Sequence, residues 1–112
     1  MTDDRIRRRL DDLTRFAAEA AHVVGKGREA YLADGLDGAL LRNAGERILI
    51  KVATVTEKLP DEFKAAHPDV DWVGLNRMRN LVAHHYDKVN DDLIWQALTV
   101  RVPSLVAALE RA

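Results

Sequence analysis

Trp72-Val73-Gly74-Leu75-Asn76-Arg77-Met78-Arg79-Asn80-Leu81-Val82-Ala83-His84-His85-Tyr86 is the stretch on which both fold and chemistry turn. Trp72, Leu75, Met78, Val82 and His85 recur at steps of three and four, the period of a helix with one buried face. The rest of the stretch is polar. Arg79 and Tyr86 are seven residues apart and share one flank, whereas Asn80 and His84 are four apart and can touch. At about 100° per residue, Arg79 and His84 point roughly 140° away from each other. One straight helix therefore cannot close both on a single phosphate. Either the helix loosens near His84, or two copies of the strip meet across a dimer axis.

Outward from this helix the chain keeps the same period. Asp71 is placed to cap its start. Upstream, Pro68 and Pro60 bracket a short piece at 61–66, and Pro60 stops a long helix predicted over 37–59. The stripe of that helix is Leu41, Ala44, Ile48, Val52, Val55 and Leu59, with Glu46 and Lys51 expected in solvent. Residues 4–24 carry Ile6, Leu10, Leu13, Ala17, Ala20 and Val24 on one face, behind a cap at Asp3 or Asp4. Gly25 and Gly27 weaken that helix, a short piece is expected through Arg28 to Leu32, and Asp34-Gly35 is a turn. Downstream, Asn90 is placed to cap a last helix with the stripe Ile94, Leu98, Val102, Leu105 and Leu109, kinked by Pro103. No strand alternation or internal repeat is present. The expectation is an all-α, up-and-down helical bundle of four to five helices in a single domain over 1–112. Alanines in the stripes leave narrow apolar faces, so a two-fold homodimer is expected to bury more than one copy can.

Composition narrows the chemistry. With 112 residues the chain has length for one modest core. It has no cysteine, which removes disulfides, thiolate zinc sites and thiol nucleophiles. Met1 to Leu10 is charged, and no unbroken apolar run reaches membrane-span length. A cytoplasmic protein that makes no use of a membrane is expected. The net charge is −1, so nucleic acid would have to be held by a local patch. Candidates are Arg77, Arg79 and Lys88. The run Arg5, Arg7, Arg8, Arg9 is interleaved with Asp3, Asp4, Asp11 and Asp12 and reads better as a solvated face.

The strip can do the work of cleaving RNA. Self-cleavage through the 2′-OH needs a base, an acid and positive charge on the phosphate. Histidine titrates near neutrality, and proton transfer of this kind is typically worth about 10²–10⁴-fold. Arginine stays charged and donates two bonds to phosphate. His84 lies off the apolar stripe and suits the proton role. His85, at the stripe's edge, reads first as a packing residue. The plain alternative for Arg79 is a structural ion pair, with Asp87 or a carboxylate of a partner. No helical Asp/Glu/His set at metal spacing stands near His84 and His85, so a metal site is not expected there, and no cofactor is expected.

The run Arg79-Asn80-Leu81-Val82-Ala83-His84-His85-Tyr86 resembles the signature of the HEPN superfamily: an arginine, a polar residue, and a histidine four to six positions on. Tyr86, two residues after His84, resembles the HepT branch, toxins paired with a minimal nucleotidyltransferase antitoxin. The likeness extends from Trp72 into the helix holding Trp95. It implies a homodimeric, metal-independent ribonuclease in which His84 is the general acid or base, Arg79 stabilises phosphate charge and Asn80 supports them. Tyr86 would be the residue the antitoxin AMPylates with ATP, and Arg77, His85 and Lys88 are possible RNA contacts. The alternative is a non-catalytic dimer of the same fold that binds a nucleotidyltransferase or a nucleotide.

Overall fold

The computed structural model describes residues 3–83 and 89–110, with Val89 and Asn90 described by backbone alone. Among them every regular element is helical. Helix α1 (Asp4–Val24) starts where expected, because an Asp3 carboxylate oxygen accepts the otherwise unpaired Arg5 N–H at 2.7 Å. Gly27 and Gly35 take positive φ, 91° and 102°, and so let the chain turn on either side of the short α2 (Arg28–Leu32). Arg42 closes that turn by donating Nη1 to the carbonyls of Tyr31 and Ala33 at 3.0 and 2.7 Å.

Helix α3 (Leu36–Glu57) is the central rod, packed on α1, α2 and the strip helix. It ends two residues before Leu59, and Pro60 then opens α4 (Asp61–Ala65). The link to the next helix is tied by the Trp72 indole, whose N–H donates to Lys64 and His67 carbonyls at 3.1 and 3.2 Å. His67 is settled locally too, its Nδ1 donating to the Phe63 carbonyl at 2.9 Å.

Helix α5 (Trp72–Ala83) carries the strip as far as it is described. Asp71 caps it as expected, accepting the Gly74 N–H at 2.9 Å. A β-carbon at position 74 would stand 2.2 Å from Asp71 Oδ2, so glycine there is what lets the cap fold inward. Helix α6 (Val89–Gln96), a π turn (Ala97–Arg101) and α7 (Val102–Glu110) follow as one rod. Asn90 is already inside this rod rather than at its cap. Pro103 has no N–H to give, and the wide turn just before it accommodates the missing bond; the expected kink is a π turn.

The core is continuous. Leu13, Leu49, Val52, Ile94, Leu98 and Val102 are sealed from solvent, each worth about 1.5–3 kcal/mol of apolar burial. Several expectations change here. Ala44 faces solvent, while Leu49, off the expected stripe, is fully buried. Phe16 and Val23 join the α1 face. Lys51 is half-buried, pairs with Glu19 at 2.9 Å and sits over the Phe16 ring, and Glu46 is half-buried beside Tyr31. Asp91–Glu110 meets the length and hydropathy of a membrane-crossing helix, contrary to the reading of the bare sequence. Its Ile94, Leu98, Val102 and Leu105, however, are buried in the core.

Candidate active site

The site is built on α5. Leu75, Met78 and Val82 bury one face of the helix as its period demands, and this rotation sets Arg79 and Asn80 outward, both exposed. Arg79 leans toward the end of α3, where its Nη1 donates to both carboxylate oxygens of Glu57 at 2.7 and 2.6 Å. A cleft opens beside the pair, bordered by Thr56, Glu57, Lys64, Trp72 and Asn76.

Arg77 goes elsewhere. It lines a groove between α5 and the α6–π rod, together with Leu81, Leu93, Val100 and Arg101. Arg77 and Arg79, grouped as one basic patch on the sequence, thus serve opposite sides of the helix, as a separation of about 200° requires. His84, His85, Tyr86 and Lys88 lie outside the described residues. The structure accordingly brings together Arg79 and Glu57. Asp87, weighed as a partner for Arg79, also lies outside the described residues.

At the N-terminal end of α1, Arg5, Arg8 and Arg9 share a shallow depression with Asp11 and Asp12. Asp12 in turn pairs with Arg15 at 3.1 Å. The mixed signs agree with a solvated face. Among the described residues no three histidine or acidic side chains are grouped to hold a metal.

Glu57 is the residue that sequence reasoning missed. It stands 22 positions before Arg79, so no helical spacing connects them. One local signal exists: a carboxylate on the last residue of a helix sits at the negative end of the dipole, where an anion is disfavoured without a cation nearby.

Tyr31 is the other unforeseen feature. It is fully buried, its ring 5.1 Å from that of Trp95. Its hydroxyl has no hydrogen-bond partner among the described residues. Burial, and then the negative charges of Glu46 and Asp91, hold its proton well above the ordinary phenol range, with Arg42 opposing. The ring packs α2 against Gly45 of α3 and Trp95 of α6.

Comparison with known proteins gives one family. The family model described as HepT-like, Ribonuclease HepT-like, matches residues 6–112. A probable ribonuclease HepT of Thermococcus cleftensis is 27% identical over 95% of this chain and 97% of that protein. A putative RNase of Caldanaerobacter subterraneus subsp. tengcongensis is 26% identical over 83% of each. A putative RNase of Methanocaldococcus jannaschii is 31% identical, but the match covers 57% of this chain and about half, 53%, of that relative. No solved structure matches.

Proposed function

Because this chain belongs to the ribonuclease HepT-like family, we propose that it is an RNA endonuclease working without a metal ion, with His84 and Arg79 as its catalytic residues. The observation that carries the proposal is Arg79 itself: exposed on α5, with its guanidinium already oriented by Glu57, in a chain whose family match runs through the whole strip.

The chemistry follows from the groups. A base takes the proton of the ribose 2′-OH, and the freed oxygen attacks the adjacent phosphorus. The P–O5′ bond breaks, leaving a 2′,3′-cyclic phosphate and a 5′-OH that receives a proton from an acid. Histidine does both proton transfers near neutral pH. Arg79 neutralises the charge that builds on the non-bridging oxygens. DNA, lacking the 2′-OH, cannot react by this route. Asn80 supports the pair from the next position on the helix.

Two copies would complete the site. On an undistorted helix His84 faces away from Arg79, so a two-fold pairing that sets strip against strip supplies what one strip lacks. Exposed Leu93 and Val100 lie beside Arg77, the face of α5 that recurs at His84 seven residues on and is opposite Arg79, and they support pairing through the His84 face. The strip's last residue gives the regulation. In this reading the protein is a cytoplasmic toxin, and a minimal nucleotidyltransferase antitoxin transfers AMP from ATP to the Tyr86 hydroxyl, the phenol oxygen losing its proton and displacing pyrophosphate from the α-phosphorus. The bulky anion blocks RNA by charge and volume.

The test is incubation of purified, unmodified protein with single-stranded and transfer RNAs, with chelator present. Cleavage giving cyclic-phosphate ends supports the reading. Intact RNA with folded, dimeric protein of unmodified mass sinks it.

A further inference from the structure

We infer that Glu57 is a positioning residue for Arg79, holding its guanidinium by one end so that the other end meets the scissile phosphate. This rests on the ribonuclease reading of Arg79 given above.

Three observations lead to it. Both contacts of the carboxylate are to a single nitrogen, Nη1, at 2.7 and 2.6 Å. Glu57 therefore makes no use of the guanidinium edge formed by Nε and Nη2, which is the planar two-donor fork that matches a phosphate. The clasp anchors one nitrogen of the group, and Glu57 leaves that edge uncovered.

The pair is also poorly placed to serve stability. The two side chains are 45% and 47% exposed, and an ion pair that open to water contributes little to folding. An exposed bond that the fold scarcely needs, made to the arginine of the strip, is explained by orientation.

The surroundings fit as well. Asn76, three residues before Arg79 and so on the same side of α5, borders the cleft that also takes in Thr56, Glu57 and Lys64. An RNA strand approaching from the other side of Arg79 meets the Nε–Nη2 edge that Glu57 leaves open. Lys64 braces the same end of α3, its Nζ donating to the Glu57 main-chain carbonyl at 3.4 Å. Glu57 touches neither substrate nor reacting atoms in this arrangement; it acts through Arg79.

The experiment is steady-state cleavage of one RNA by wild type, Glu57→Gln, Glu57→Asp, Arg79→Ala and the Glu57→Gln/Arg79→Ala double variant, with thermal melting of each. Positioning predicts that Glu57→Gln lowers kcat by about tenfold, since misplacing a catalytic group by a fraction of an ångström suffices for that. KM stays level or falls, because a negative charge near the RNA has been removed. Melting stays within a few degrees of wild type. Glu57→Asp, which keeps the charge on a shorter arm, recovers part of the rate. On the Arg79→Ala background Glu57→Gln changes nothing further. An unchanged or raised kcat in Glu57→Gln overturns the inference, as does a loss that adds to that of Arg79→Ala or merely tracks lost folding. If wild type itself leaves RNA intact, the ribonuclease reading fails and the role of Glu57 falls with it.

Discussion

The hydroxyl of Tyr31 occupies the space that a β-carbon on Gly45 would need. The two would stand 2.7 Å apart, with Leu98 Cδ1 at 2.8 Å on the same atom. The α2–α3 contact is thus closed to any larger residue at 45. Gly45→Ala would gain helix propensity of up to about 1 kcal/mol but must push Tyr31 and Leu98 aside. The expected net effect is destabilisation by about 1–3 kcal/mol, the usual cost of overpacking, read from urea unfolding. A stabilised variant would show that this contact yields easily.

Tyr31→Phe is the complementary change. It removes a buried hydroxyl that has no partner among the described residues, so at neutral pH it should be neutral or stabilising by up to about 1 kcal/mol. The pH dependence has a definite sign. The folded state holds the phenol proton above its ordinary value, through burial first and then Glu46 and Asp91. In the unfolded chain the phenol ionises at about pH 10. The contribution of Tyr31 is therefore intact below that pH and is lost as pH rises past it toward the folded value. Wild type should lose stability faster than Tyr31→Phe between about pH 9 and pH 11, measured by denaturant titration at each pH. Parallel curves would place the alkaline sensitivity elsewhere.

Asp71 and Gly74 form a coupled pair at the start of α5. Asp71→Ala removes the cap to the Gly74 N–H and should cost about 1 kcal/mol. Gly74→Ala drives a methyl to 2.2 Å from Asp71 Oδ2 and should cost more. Once Asp71 is alanine that clash is gone, so the double variant should be less destabilised than the sum of the singles. Additive losses in thermal melts would argue that Arg101, whose Nη1 lies 2.6 Å from the same β-carbon position, sets the limit instead.

Local signals carried the sequence reading far, and distant ones did not carry it at all. Asp3 and Asp71 mark helix starts by the bonds they make within a turn, and each stands where it was read; Pro60, read as the stop of the long helix at Leu59, lies three residues past its end at Glu57 and opens α4 instead. The stripe Leu75, Met78, Val82 is likewise buried as read. Where several helices cover one helix, a single stripe misleads: α3 packs against α1, α2 and α5, and Leu49 is buried while Ala44 is not. Pro103 announces a disturbance but not its form, because a kink and a π turn both relieve the missing N–H. Glu57 was invisible because its partner is 22 residues away on another helix. Arg79 and Asn80 were legible as exposed polar groups beside an apolar face.

Arg79 itself should be nearly dispensable for folding and essential for cleavage. Arg79→Ala breaks an ion pair that is half in solvent, so stability should change by no more than about 1 kcal/mol. The same change should lower the single-turnover rate by about 10²–10³-fold, as loss of one charge-stabilising donor does elsewhere. Arg79→Lys should recover little, since an ammonium cannot both bind Glu57 and fork onto a phosphate. A lysine variant at near full rate would reduce the requirement to charge alone.

The central claim is that the strip is an RNA-cleaving centre with its proton chemistry on His84. It is tested most directly by comparing wild type with His84→Ala on the same RNA in excess chelator, with the intact mass of each protein recorded. The account predicts cleavage to cyclic-phosphate ends by wild type and a loss of at least about 10²-fold in the variant. Equal cleavage by the two, or none by a wild type of unmodified mass, would contradict it.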